Sequence, residues 1–557
     1  MGIFDFLWPP IHIDPPKPTK TAVMRPTVKK FPTTKEKDED GFYPIVCPYC
    51  LERFHIWEVE FRSVAAGVSK APMVDREIIQ NQVVPDEKFG RRQKQQSAPV
   101  PNAQARPSMP TSTGVEGATG FPMEVDEKYE EFERKVNGTE VGSFRGKVLR
   151  IFDENGNPTG EVTHITLMNR EDGGIDNNNV RIPIKGHVAR DFAREPIMTV
   201  INKFGEACDE RICPHCHHKV SDYVGIWPSY TVALIGDTKV GKTVFLSKLG
   251  AALTRSGILG HTLIGHEANM DYKSWIRTAM EMDERAMSGA SMLDLTTMKF
   301  MPPNTINFHS TVPGKGFILN LFDFPGEALS QPLGGTSAYG EDTTSIANGF
   351  RAQYVQKIER MDAWMLLFDS ISFETVRSVF ETDEDLKFFL SDRSDSIQPV
   401  ELLNYFENAY LRMHVNKFTK PLAAIMSKSD LIKYAEWLHP EYFPTLAEDQ
   451  AFLDPNRNQN RDKTKVDLDD IFNCSCQIGA FLEESRDDKT IYDRCNEYDQ
   501  VNGESCWFAV SSKGDANAAA ADPIRVTEPI EWILWRLGLV QGIGKSTPGG
   551  GSPIEER

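Results

Sequence analysis

Hydrophobic and polar positions change their rhythm along the chain. From Tyr230 onward, short apolar runs alternate with stretches whose apolar residues recur at helical spacing. Thr231 to Ile235, Gly316 to Phe322, Ala363 to Asp369, Pro421 to Met426 and Trp507 to Val510 are runs of the first kind, fit for strands covered on both faces. Val244 to Leu253 is of the second kind, with apolar residues at 245, 246, 249 and 253. Glu528 to Leu534, with Pro529 in its first turn, predicts a closing helix. This alternation predicts an α/β fold with a mainly parallel central sheet over residues 228–540. Residues 432–505 form a long insertion between the last two strands, and its acidic pairs, among them Asp487-Asp488, read as solvated surface.

The N-terminal half has another texture. Residues 1–40, rich in Pro, Lys and Thr, predict a disordered arm. Residues 41–63 and 206–224 each hold a C-P-x-C turn. Residues 64–205 between them read as a polar linker, clearest from Gln93 to Gly120, and a small β-rich insert. The insert's strand-like runs are Lys147 to Phe152, Glu161 to Leu167 and Val180 to Ile184, separated by turn signals. Residues 541–557 read as a flexible tail.

The chain has 557 residues, 62 of them basic and 80 acidic, for a net charge of −18. Nucleic acid rewards clustered Lys and Arg, and an acidic chain offers no general field of that kind, which counts against a zinc-ribbon nucleic-acid adaptor. No apolar run approaches the ~20 residues that span a bilayer. The N-terminus has no basic n-region and no small-residue cleavage site, so the expected location is the cytoplasm. An odd total of nine cysteines without a secretory signal argues against a disulfide framework.

The chemistry begins where the first apolar run ends. Gly236-Asp237-Thr238-Lys239-Val240-Gly241-Lys242-Thr243 is G-x-x-x-x-G-K-T in full, between a strand and a helix that starts near Val244. The glycines let successive N–H groups point at phosphate oxygens, and the helix N-terminus adds positive potential. Lys242 would neutralise the β- and γ-phosphates, and the Thr243 hydroxyl suits Mg²⁺, a hard cation. Asp323-Phe324-Pro325-Gly326 ends a later strand as D-x-x-G, and Ser427-Lys428-Ser429-Asp430 ends another. The Asp430 carboxylate matches the guanine N1–H and exocyclic amine, while the Lys428 stem covers the base. Ser511-Ser512-Lys513 follows the last strand and offers N–H groups to the guanine carbonyl.

In this order the motifs resemble those of the Ras-like, TRAFAC-class P-loop GTPases over about residues 228–540. The resemblance implies GTP and Mg²⁺ as ligands, with Asp323 holding Mg²⁺ through water, Gly326 reporting the γ-phosphate and Asp430 reading guanine. It also implies a switch threonine that binds Mg²⁺ ahead of the D-x-x-G strand: Thr305, with Thr311 as its rival. The departures matter. Ser427 replaces the usual Asn and removes an amide that braces the loop, and Ser512 stands where Ala is usual. Glu327 stands where many relatives carry a water-orienting Gln, and its charge would repel the γ-phosphate. Slow intrinsic hydrolysis follows, helped by an arginine in cis, Arg351 or Arg360, or by a protein partner, an effector or GTPase-activating protein. An ATP-using P-loop enzyme, a kinase or a remodelling ATPase, is the alternative.

Cys47-Pro48-Tyr49-Cys50 and Cys213-Pro214-His215-Cys216 together offer four thiolates, the set that suits tetrahedral Zn²⁺. Sharing one ion requires residues 64–205 to be inserted between two turns that meet. His55, His217, His218 and Cys208 are alternative ligands. A redox role is disfavoured because neither motif opens a helix of a thioredoxin-like unit. A split zinc ribbon directly before the P-loop resembles the bacterial double-GTPase-type domain family, on Cys47 to Phe54 and Phe61-Arg62, though Ser63 stands where that family often has Cys. That resemblance implies a role in multi-protein signalling or conflict systems.

Overall fold

The computed structural model describes residues 35–63, 115–116, 122–137, 144–153, 155, 157–167, 181–183, 196–203, 205–237, 240–263, 303–310, 315–324, 360–384, 386–387, 390, 398–411, 420–439, 462–502, 505–512 and 523–544. Each C-P-x-C turn has the same backbone. Leu51 N donates to Cys47 O and His217 N donates to Cys213 O, both at 2.9 Å. Leu51 and His217, the residues just after each turn, both have positive φ. Strand β1 (Ile45–Val46) pairs with β2 (Arg53–Phe54) around the first turn. The chain leaves this region at β3 (Glu60–Arg62). The excursion includes helix α1 (Glu127–Asn137) and the antiparallel pair β4 (Val162–Leu167) and β5 (Ile197–Asn202). It returns at β6 (Glu210–Ile212), which pairs with β3 and sets Glu210 opposite Arg62. Departure and return on neighbouring strands bring the second cysteine turn against the first.

Helix α1 was not anticipated, although Tyr129, Phe132 and Val136 recur at helical spacing and all three are buried. Asp126, just ahead of it, is held between the Arg62 guanidinium and His217 Nδ1, the latter at 2.6 Å. His217 Nε2 lies 2.8 Å from Glu60 Oε2, and Arg62 also reaches Glu210 at 3.1 Å. Burial pushes the Asp126 carboxyl up, but the hydrogen bond from His217 and the charges of His217 and Arg62 outweigh it and hold the group at about 2. Asp126→Asn leaves Arg62 and His217 buried against a neutral amide, so it is expected to cost about 3 kcal/mol near neutral pH. A depressed carboxyl stabilises fully above its unfolded value of 3.8 and loses that contribution as pH falls toward about 2. Denaturant melts of the variant and the wild type should therefore converge between about pH 5 and about pH 2. A gap independent of pH would mean that the ion pairs are not its source.

The apolar runs of the C-terminal half form one seven-stranded sheet. In chain order its strands are β7 (Ser229–Gly236), β8 (His261–Leu263), β9 (Asn304–Ser310), β10 (Gly316–Asp323), β11 (Ala363–Asp369), β12 (Leu422–Ser427) and β13 (Ser505–Val510). Across the sheet the order is β8-β9-β10-β7-β11-β12-β13. The five strands from β10 to β13 run parallel, while β8 and β9 are antiparallel to their neighbours. The connections carry α2 (Lys242–Ser256), α3 (Glu374–Thr382), α4 (Ser429–Leu438), α5 (Leu468–Leu482) and α6 (Arg486–Asn502), with α7 (Glu528–Arg536) after β13.

Alternate residues of each strand feed two cores, as a sheet buried on both faces requires. Val232 and Leu234 pack with α2 and α7, through Phe245, Leu249, Ile530 and Ile533. Ala233 and Ile235 belong to the other core, with α3, Ile432 of α4 and α5. That second core runs without a break into the cysteine region, through Phe42, Leu51, Ile56 and Phe61. One residue of an acidic pair, Asp487-Asp488, departs from the solvated reading. Asp488 is buried and caps the N-terminus of α3, accepting from Glu374 N and Thr375 N at 2.8 Å each. Among the described residues no helix is long and apolar enough to cross a membrane.

Candidate functional site

Strand β7 turns into its loop beside β11. A Cβ on Gly236 would stand 2.9 Å from the Leu367 carbonyl oxygen, too close for any other residue. Gly241, with φ +94°, then swings the chain into α2. A left-handed residue followed by helical ones aligns successive N–H groups into an anion-binding concavity, reinforced by the helix N-terminus. Thr243 and Val244 occupy the first turn of α2, both half-buried. The Lys242 ammonium lies inside the curl, donating to the carbonyls of Gly236 at 2.7 Å and Asp237 at 2.8 Å.

Parallel pairing gathers the other motif residues at the same edge. Asp323 is in register with Leu234, and Phe324 N donates to the Leu234 carbonyl at 2.9 Å. Ser427 is in register with Asp369 and Val510. Its hydroxyl approaches the carbonyls of Val240 at 2.8 Å and Phe368 at 3.0 Å. The amide is absent, but the serine hydroxyl itself ties β12 to the loop. Lys428 has φ +58° and opens α4. Its Cε passes 3.9 Å from where a Cβ on Gly241 would lie, and its ammonium sits 2.8 Å from Asp369 Oδ2. Asp430, in the first turn of α4, accepts from the Ser511 hydroxyl at 2.6 Å. Ser511 is buried and held by a reciprocal pair of backbone bonds with Ile524, and half-buried Ser512 follows it.

Two expectations fail on geometry. Thr305 lies within β9 opposite Asn320, and its hydroxyl donates to Asn320 Oδ1 at 2.9 Å. Asn320 is level with Thr231, and five residues at ~3.3 Å each put the loop at Gly236 about 16 Å further along β7. Thr305 is thus a sheet residue and not a Mg²⁺ ligand at the loop. Arg360 precedes β11 at the opposite edge of the sheet. It bonds the Leu51 carbonyl and Glu52, each at 2.8 Å, so it clamps the first cysteine turn and is no arginine finger. Thr238, Lys239, Thr311, Gly326, Glu327, Arg351 and Lys513 lie outside the described residues.

Cys47, Cys50, Cys213 and Cys216 meet in a second, separate site. Their sulfurs all lie within 4.8 Å of one another, and the four residues are buried. Cys47 and Cys216 are 3.6 Å apart, Cys50 and Cys213 3.8 Å. A tetrahedron with Zn–S bonds of ~2.3 Å has S–S edges of about 3.8 Å, so the spacing fits Zn²⁺. Hydrogen bonds from Cys213, Cys216 and Cys47 hold the Cys50 thiol well below its ordinary range, while burial pushes Cys47 and Cys216 up. Four buried sulfurs cannot all ionise without a cation among them, a charge that a dication would supply. The alternative ligands are engaged elsewhere. His55 bonds Asp38, His217 bonds Asp126 and His218 bonds Glu133, while Cys208 sits outside the group.

No family model matches the chain, and no curated protein matches it. Solved structures similar to it include a Plasmodium falciparum protein described as nucleolar GTP-binding protein 1, at 10% identity and a TM-score of 0.23, covering 57% of this chain and 89% of that one. The GTPase-like domain of Saccharomyces cerevisiae Ski7 bound to GTP is 16% identical with a TM-score of 0.18, covering 42% of each chain. Aquifex aeolicus Era is 12% identical with a TM-score of 0.16, covering 38% of this chain and 48% of that one. At TM-scores this low the likeness assigns neither a family nor a function to this chain.

Proposed function

We propose that the chain is a GTP-binding switch of the P-loop class with slow intrinsic GTP hydrolysis. The observation that carries this reading is the held carboxylate of Asp430, fixed by Ser511 beside a lysine stem that crosses the loop at Gly241. A fixed acceptor at that place suits the paired donors of guanine, and adenine presents no matching pair. The loop N–H groups and Lys242 take the phosphates. Thr243, at the start of α2, and Asp323, at the end of β10, supply the hard oxygen donors that Mg²⁺ prefers. Bound there, Mg²⁺ would neutralise phosphate charge. The Glu327 carboxylate keeps hydrolysis slow, so the working cycle depends on a protein partner, an effector or GTPase-activating protein. The four-cysteine cluster is a structural Zn²⁺ site that closes a split ribbon around the insert. The setting is the cytoplasm of a bacterium, within a multi-protein signalling or conflict system.

Binding of GTP, ATP and XTP to the purified protein tests the reading. Wild type should prefer GTP, and Asp430→Asn should reverse the preference between GTP and XTP by about 100-fold or more, since hydrogen bonds to a charged acceptor contribute ~1.5–3 kcal/mol each. A wild type that prefers ATP would instead mark an ATP-using P-loop enzyme.

A further inference from the structure

Asp369 belongs to none of the sequence motifs, yet it stands between two of them. It is the last residue of β11, level with Ser427 of β12. Its Oδ1 accepts from Ile371 N at 3.2 Å and caps the short helical turn Ser370–Ser372. That bond fixes the carboxylate and turns Oδ2 to the Lys428 ammonium, 2.8 Å away. Lys428 is therefore pinned at both ends. Its backbone is locked in a left-handed conformation at the start of α4, and its ammonium is held by Asp369. Only the methylene stem is left to cross the loop at Gly241. A lysine on a flexible four-carbon stem would otherwise turn its charge to phosphates bound in that same loop.

We infer that Asp369 is a positioning residue for the purine. It holds the Lys428 charge away from the phosphates and presents the stem as the apolar surface on which the ring plane rests. This rests on the reading of the loop as a guanine-nucleotide site. Such a surface meets the face of the ring and not its edge, so it favours purines without choosing among them; Asp430 makes that choice.

The test uses the full chain and four proteins: wild type, Asp369→Ala, Lys428→Met and the double variant. Affinities for GTP and ITP are measured directly, and affinity for inorganic triphosphate by competition. Asp369→Ala should weaken GTP and ITP by the same factor, about tenfold, while triphosphate, to which the freed lysine can turn, should bind at least as tightly as it does to wild type. The double variant should lose no more than the weaker-binding single variant, because the two residues act as one unit. GTP affinity equal to wild type in Asp369→Ala overturns the inference. So does an equal loss for GTP and triphosphate, which a general structural role would give, or a double variant whose losses multiply. Lys242→Ala separates this from failure of the underlying reading. If that variant binds GTP as wild type does, the loop is not the nucleotide site; if it binds neither GTP nor triphosphate, the site stands and Asp369 is judged on its own results.

Discussion

Lys242→Ala is expected to abolish nucleotide binding at concentrations that saturate the wild type, while the chain stays folded. The ammonium now lies inside the curl of its own loop, on the carbonyls of Gly236 and Asp237. Those two carbonyls hold the charge where phosphate oxygens would arrive, so little has to move for it to exchange partners. Charge-assisted hydrogen bonds contribute ~1.5–3 kcal/mol each, and losing two costs a factor of about 10² to 10⁴ in affinity. The fold should tolerate the change. The side chains that anchor α2 to the sheet are Phe245, Leu246, Leu249 and Leu253, none of which belongs to the loop. Titration with a fluorescent guanine nucleotide and a thermal melt on the same sample check both halves of the expectation. A folded variant that binds with wild-type affinity would refute the phosphate role of Lys242.

The sheet was legible because its strands are buried on both faces. Runs such as Ala363 to Asp369 and Pro421 to Met426 carry almost no polar residue, and apart from Pro421 they lie within strands. Strand-end chemistry was legible for the same reason, since parallel pairing sends the ends of β7, β10, β11 and β12 to one edge. Antiparallel segments were harder. Thr305 precedes an apolar run, but only the pairing of β9 with β10 shows that its hydroxyl faces Asn320. Contacts between distant segments left no local trace. Asp488 reads as one more surface acid until α6 brings it to the start of α3. Asp369 reads as the end of a strand until Lys428 reaches it from the start of α4. Ser427 shows how chemistry can outlast a motif: the amide is missing, but a hydroxyl at the same strand end still reaches the Val240 carbonyl.

Cys213→Ser is expected to release the metal and unfold the ribbon, with effects that reach the nucleotide domain. Strand pairing alone cannot hold the ribbon. β1 and β2 are two residues each and β3 and β6 three each, too short to persist as isolated hairpins. Structural zinc contributes ~10–16 kcal/mol in small peptides, so losing one thiolate ligand should cost on the order of 5 kcal/mol or more. The damage should spread because the cores are continuous. Leu51, Ile56 and Phe61 share a core with Phe322 and Phe324 at the end of β10, and Arg360 bonds the Leu51 carbonyl from the foot of β11. Metal analysis should find one zinc per chain in the wild type and far less than one in the variant, with an early melting transition that a chelator reproduces in the wild type. Cys208→Ser is the matched control: Cys208 is buried in the same region but outside the four-sulfur group, so that variant should keep its metal. Equal zinc in Cys213→Ser and wild type would break the shared site apart, and the two turns would then need another reason to meet.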